Sequence, residues 1–265
     1  MLEFRLVHGS LLKKVVKAIK GFVDDALFFF TADGVSLHLV EPTKVVVLYL
    51  FLSPQSFDHY HCDDDIILGI NLKTLYKKLK RCSEGNTLTI TAKHDEDVIT
   101  FTYHRPSTLP DFQDRMYNLS EYYLKRMELI NGQLVQLPEM NTLDAIIRMP
   151  SAKLVRIFEG LGRIVTVSVT KEKVKFSTTD GDNITAKAVI RQNKDKPAEE
   201  ATIIELTEPA SFTIELRYIN SFAYATPLSK TVFISLQSEP PLMLVKYGVA
   251  NVAEIMFYLN GIEDE

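Results

Sequence analysis

The amino-acid sequence predicts an α+β fold of two similar domains, each carrying two helices on one side of antiparallel sheet. One helix-plus-strands pattern recurs four times along the 265 residues, and the copies fall into two pairs. The period is too long for a solenoid of short repeats. An apolar fraction of 46 % leaves enough material for a core in each half.

The first copy opens with a helix at about 10–23, where Leu12, Val15, Val16 and Ile19 recur at i, i+3, i+4 and i+7. Alternating strands run through ALFFFTADGVSLHLVEPTKVVVLYLFL, with ADG as a hairpin turn. ILGINLKTLYKKLKRC then supplies a strand and the second helix, and NTLTITAKHDEDVITFTYH supplies two strands around a polar turn. SEYYLKRMEL, residues 120–129, alternates well enough to be the last strand of the first domain. In the second half, AIIRMPSAKLVRIFEGLG gives strand and helix, and IVTVSVTKEKVKFSTTDGDNITAKAVI gives strands separated by turns. SFTIELRYINSFAYATPLS leads through a short helix at about 216–224 into TVFISLQSEPPLMLVKYG. The expected organisation is a first domain at 1–125, a connector at 126–142 and a second domain at 143–265. LVQLP, residues 134–138, is apolar for a connector facing water, so it either packs against the body or docks a partner.

Charge is distributed unevenly. LLKKVVKAIK places Lys13, Lys14, Lys17 and Lys20 on the side of the helix opposite its apolar face, in a chain of net charge −4. Like charges at i,i+4 oppose a lone helix, so an external source of negative charge is implied. The second helix sets Lys73, Lys77 and Lys80 on one face, with Lys78 and Arg81 at its flank, against Leu72, Leu75 and Leu79. The third sets Lys153, Arg156 and Arg163 against Leu154, Phe158 and Leu161, while the fourth offers Arg217 beside Asn220, Ser221 and Tyr224. Cationic helix faces attract phosphates without regard to base sequence. The faces lack the Asn, Gln and Arg mixture of a base reader and the interleaved aromatics of a single-strand platform, so backbone contact to duplex DNA is the favoured reading.

Other classes fit less well. There is no run of eighteen apolar residues and no signal peptide, which points to a soluble intracellular protein with no membrane association. The two cysteines, Cys62 and Cys82, lack CxxC or Cys/His spacing, so neither a disulfide scaffold nor a zinc site is expected. The sequons at 118 and 183 read as chance matches. CDDD at 62–65 and TTDGDN at 178–183 read as turns and acidic surface rather than metal ligands, the second lacking the closing glutamate of an EF-hand loop. With no HExxH, Walker loop, dinucleotide glycine motif or nucleophile elbow, neither catalysis nor a cofactor is expected.

The stretches RLVHGSLLKKVVKAIK, DGVSLHLVEPTKV, FDHYHCDDDIILGINLKTLYKKLK, SEYYLKRMEL, RMPSAKLVRI, ELRYINSFAYATPLS and FYLNGIEDE occur in this order. Through them nearly the whole chain resembles the proliferating cell nuclear antigen (PCNA) family, the eukaryotic sliding clamps. The resemblance implies the two-domain processivity fold, closed head to tail as a homotrimeric ring with sheets outside and four helices per chain lining a hole. It further implies a nuclear, non-enzymatic processivity factor of DNA replication and repair. Such a factor encircles double-stranded DNA, is placed by a clamp loader, and tethers DNA polymerase and other proteins carrying short interacting peptides. The alternative is a subunit of a heterotrimeric checkpoint clamp.

Position by position, the resemblance assigns DNA contact to Lys13, Lys14, Lys20, Lys77, Lys80, Arg156 and Arg217. The partner-peptide pocket would be Val40, Val45, Val47, Val135, Leu137, Pro138, Pro241 and Tyr258, and Lys171 stands where the family lysine accepts ubiquitin-like modifiers. The ring joint would pair SEYYLKRM of one subunit with DNITAKAVI of the next, with Tyr122 as an anchor. The chain departs from the family at Glu159 and Tyr224, which lower the positive charge of the second domain's lining, and at His61 and Asp64, which replace basic residues. The tail is shortened at Asn260-Gly261, and about eight extra residues between Tyr103 and Ser120 have no counterpart.

Overall fold

The computed structural model describes residues 1–7, 10–40, 45–82, 86–93, 96–105, 110–120, 137–180, 183–215, 222, 224–249 and 252–261. The chain forms two compact units. Unit 1 comprises residues 1–39, 49–136 and 250–254, and unit 2 comprises 40–48, 137–249 and 255–265. The expected boundary between residues 125 and 126 lies outside the described residues, as do Tyr122, Val135, Arg217 and all but the first residue of SEYYLKRMEL.

In unit 1, β1 (Leu2–Val7), β5 (His59–Cys62), β7 (Thr87–Ala92), β8 (Val98–His104) and β9 (Phe112–Tyr117) form an antiparallel sheet in the order β5-β1-β7-β8-β9. A second run joins β6 (Ile66–Asn71), β2 (Asp25–Thr31) and β3 (Gly34–Val40). The strands alternate as a half-buried surface requires; in β8, Ile99, Phe101 and Tyr103 point inward and their neighbours outward. The turn into β3 needs glycine, because Gly34 has φ +133° and a Cβ there would strike the Leu52 carbonyl. Phe4 stacks on Phe30 at 5.7 Å and meets Phe57 at 5.2 Å, binding both sheets into one core.

Two helices cover that core. Helix α1 (Ser10–Ile19) buries Leu12, Val15, Val16 and Ile19, each worth about 1.5–3 kcal/mol of apolar burial. It is shorter than the periodicity suggested: it ends just before Lys20 and Gly21, although Lys20 N and Phe22 N still donate to Val16 O and Ile19 O. Helix α2 (Leu72–Lys80) begins where Asn71 Oδ1 accepts the Thr74 N–H at 2.9 Å, an N-cap that explains the start. Its lysines crowd the last turn, where the helix dipole favours cations.

Unit 2 contains an antiparallel sheet in the order β13-β12-β11-β15, from β11 (Ile164–Val169), β12 (Lys173–Asp180), β13 (Asn183–Arg191) and β15 (Ala210–Glu215). It also contains the run β14-β10-β16-β17, from β10 (Ala145–Pro150), β14 (Ile203–Leu206), β16 (Thr231–Gln237) and β17 (Leu242–Val249). Strands β4 (Val46–Leu52) and β18 (Ala253–Asn260) are divided between the units. Helix α3 (Ser151–Phe158) buries Leu154 and Phe158, and Phe158 meets Phe176 edge-on at 5.5 Å. Of the expected fourth helix at about 216–224, only Phe222 and Tyr224 are described, both helical.

Among the described residues the expected strands and helices follow in order, and five strands, β1, β5, β9, β14 and β18, are additions. Strand β9 lies in residues where sequence periodicity is weak, and it forms the β8-side edge of the five-stranded sheet among the described residues.

Candidate functional site

The cationic helix faces are the first surface to build. On α1, Lys14 and Lys17 are exposed and Lys13 half-exposed, as is Lys20 just past its end, while the opposite face is buried. Lys77 and Lys80 of α2 are likewise exposed. Tyr76 joins the two helices: its ring centre lies 4.9 Å from Lys20 Nζ and 5.3 Å from Lys80 Nζ, two cation–π contacts on one aromatic ring. Lys13 is near Cys82 just beyond α2; burial pushes that thiol up and the Lys13 ammonium pulls it partly back. Lys13, Lys20 and Lys80 are therefore gathered along one pair of packed helices.

Three of the foreseen cations have other occupations. Lys78 is not a flank of the cationic face: its side chain is buried, 2.8 Å from Asp114 and with its ammonium 5.4 Å from the Phe101 ring centre. Arg81 pairs with the same carboxylate. Lys73 is held by Asp24 at 2.6 Å. These carboxylates neutralise part of the helix charge locally and leave Lys13, Lys14, Lys77 and Lys80 without an ion pair among the described residues.

In unit 2, Arg156 is exposed on α3 without an ion pair among the described residues, but Glu159 follows it at the helix end, exposed, and Tyr224 is also exposed. Arg163 lies beyond α3 and not on its face: its guanidinium pairs with Glu215 at 2.7 Å. Partial burial and the neighbouring Lys196 ammonium push Lys153 down.

Of the peptide-pocket positions, Val40, Val45, Val47, Leu137, Pro138, Pro241 and Tyr258 belong to unit 2, and Val135 lies outside the described residues. Val40, Val45, Val47, Leu137, Pro138 and Pro241 are half-buried, and Tyr258 is buried with 9 % exposure. Backbone bonds draw several of them together: Asn260 N donates to Val45 O and Gly261 N to Pro241 O, both at 3.0 Å. A Cβ on Gly261 would come within 2.9 Å of Pro241 Cβ and 3.1 Å of the Phe212 ring, so this close approach favours glycine at 261. Lys171 is exposed in the tight turn between β11 and β12, closed by Thr170 N donating to Lys173 O at 2.9 Å.

The acidic stretches do not converge into a ligand set. Asp63 accepts from His61 at 2.6 Å, and among the described residues no three His, Cys, Asp or Glu side chains group as metal ligands. The unit 1 cavity among Phe4, Phe28, Phe57 and Phe101 is core, about 20 Å³ in volume. No helix of the described residues is long and apolar enough to cross a membrane. Tyr76 went unnoticed in the sequence, although its i,i+4 spacing to Lys80 was the available signal. A groove of about 500 Å³ over β10, β14, β16 and β17, bordered by Arg148, Glu205, Phe233 and Lys246, was also unforeseen, because it depends on strand order.

Comparison with known families accounts for nearly the whole chain. The model of the proliferating cell nuclear antigen N-terminal domain matches residues 1–131, and that of its C-terminal domain matches residues 136–262. With both domains present in order on a mostly antiparallel framework, the chain belongs to the proliferating cell nuclear antigen family of DNA sliding clamps.

Proposed function

We propose that this chain closes as a homotrimeric ring around duplex DNA in the nucleus and tethers DNA polymerase and other replication and repair proteins. The observation carrying this reading is that a chain of net charge −4 keeps Lys13, Lys14, Lys77 and Lys80 off its own carboxylates on two packed helices. Phosphates supply the missing charge, and ammonium–phosphate attraction ignores base sequence, which suits a ring that slides. Lys20, Arg156 and Arg217 complete the proposed DNA-facing set. Its role is positioning, and no catalytic step is assigned to the chain.

Partner proteins dock through the apolar positions around Val45, Leu137, Pro241 and Tyr258, joined by Val40, Val47, Val135 and Pro138. An aliphatic or aromatic anchor entering such a pocket releases water from both surfaces, the usual source of affinity for a short peptide. Lys171 is the proposed acceptor of a ubiquitin-like modifier, supported by its exposure in a turn. The domain limits are taken as 1–125 and 143–265 around the connector at 126–142.

Light scattering of the purified chain across a concentration series tests self-closure. A stable particle of three times the 30.1 kDa chain is expected. A persistent single-chain mass would contradict the homotrimer and favour the heterotrimeric checkpoint clamp, toward which Glu159 and Tyr224 point.

A further inference from the structure

The four-stranded sheet of unit 2 has one buried face and one open face. Val165, Val167, Val174, Phe176, Phe212 and Ile214 are buried on the inner side, where helix α3 packs through Phe158 against Phe176. Period-two alternation sends Lys173 and Lys175 of β12, and Lys187 and Arg191 of β13, to the other side.

Register fixes how these cations meet. Lys173 stands directly opposite Arg191, Lys175 opposite Val189 and Ser177 opposite Lys187. Like charges facing each other across a strand pair oppose the sheet, yet none of the four has an ion pair among the described residues. Glu215, on the same face at β15, is already held by Arg163 at 2.7 Å, and Glu172 is exposed in the turn before β12. Guarding an edge strand accounts for charge on β13, but Lys173 and Lys175 lie one strand in, where no edge needs guarding. The missing counter-charge must come from outside the sheet.

The rest of the face says which kind. Thr166 and Ser168 of β11 lie beside Thr213 and Ser211 of β15, with Thr166 Oγ1 and Thr213 Oγ1 3.1 Å apart. Lysine, arginine and short hydroxyl side chains are the groups that hold phosphate oxygens. Val189, between Lys187 and Arg191, is 47 % exposed and offers no buried anchor point for a peptide side chain. Both aromatic side chains of these strands, Phe176 and Phe212, are turned inward, so bases have nothing to stack on and a duplex is favoured over a single strand.

We infer that this sheet face binds the phosphate backbone of a DNA duplex, as a second contact separate from the helix lysines and reachable without threading. Lys187 and Arg191 are four positions apart, about 14 Å along a strand, and over that length one strand of a duplex presents about four phosphates. The contact goes beyond the ring reading and does not compete with it: the proposed joint uses the edge of β13, whereas these side chains stand off its face.

A relaxed closed-circular duplex, offered without a loader at about 50 mM salt, tests it, because a closed ring cannot thread a circle. The chain should bind the circle, and Lys173→Gln/Lys175→Gln/Lys187→Gln/Arg191→Gln should bind at least ~10-fold more weakly, with the slope of log affinity against log salt lower by about 3–4. The charge-preserving Lys173→Arg/Lys175→Arg/Lys187→Arg should bind as the unsubstituted chain does, and the milder Lys173→Gln/Arg191→Gln should lower the slope by about 2. Charge reversal at Lys13, Lys77 and Lys80 should leave circle binding in place. No binding of the circle, or the same affinity after the four substitutions, would overturn the inference and leave the ring standing. Loss on reversal of the helix lysines alone would return the contact to the helices, and capture of a polyglutamate peptide in place of the circle would assign the face to an acidic polypeptide. A single-chain mass by light scattering, with the fourfold variant still impaired, would remove the ring and uphold the face.

Discussion

Helix α2 and helix α3 both pair an apolar face with cations, yet the two units use them differently. In unit 1, acids outside the helices absorb Lys73, Lys78 and Arg81, while Lys80 and Lys20, just past α1, meet over the Tyr76 ring. In unit 2, Arg163 is absorbed by Glu215, and Arg156 stands on an exposed helix surface ending in Glu159. Counting cations along a helix overstates the charge offered to a partner; the carboxylates within reach decide which ones remain. By that measure the attraction of the helices for phosphate is concentrated in unit 1.

Charge reversal at Lys13, Lys77 and Lys80 together should break this difference most severely. Loader-dependent stimulation of a polymerase should vanish while light scattering still reports the intact assembly, whereas Arg156→Glu should leave stimulation reduced but measurable. Equal losses from the two variants would show that the units share DNA contact evenly. Neutralising the same three lysines should also lower the slope of log affinity against log salt by about 3, and Arg156→Ala by about 1.

The next largest effect concerns unit 2's apolar positions. Val45→Asp with Leu137→Asp should weaken a titrated partner peptide by about 100-fold or more, since each carboxylate would have to lose water without a partner. Unchanged affinity would move the docking site elsewhere.

Unit 1's neutralising acids can be tested through pH. Hydrogen bonding from Lys78 holds Asp114 below the usual carboxylate value despite some burial. A depressed folded value means that this stabilisation is fully present above the unfolded value of about 4 and is lost as pH falls through the lower folded value. Asp114→Asn should destabilise the chain by about 2–3 kcal/mol at neutral pH in chemical unfolding and flatten the loss of stability below about pH 4. An acid limb identical to that of the unsubstituted chain would assign it to other carboxylates.

The smallest effect is at Tyr76. Tyr76→Leu should cost about 0.5–1 kcal/mol by removing two exposed cation–π contacts, and Tyr76→Phe, which keeps the ring, should cost almost nothing. Equal costs would mean that the ring acts by size alone.

Much of this was legible in the sequence, because periodicity reports which face of an element is buried. Leu12, Val15, Val16 and Ile19 announced α1, and the alternation around Phe101 announced β8. Partners distant in the chain were not legible. Lys78 looks like any helix lysine until Asp114, 36 positions later, is brought to it by a strand whose own alternation is weak. Strand β9 was missed for the same reason: it is held by anchors at His104, Lys78 and Gly69 rather than by a continuous apolar face. The pocket positions were carried by resemblance, and sequence alone does not reveal that Asn260 and Gly261 donate to Val45 and Pro241.

The central claim is that the chain holds DNA by encirclement, with ionic contacts only smoothing its motion. Retention after loading on circular and on linearised duplex, followed by a high-salt wash, tests it directly. Ionic binding falls steeply with salt on either template, whereas a closed ring is lost only from a free end. The account predicts retention on the circle and loss on cutting it; equal loss from both templates in high salt would contradict it.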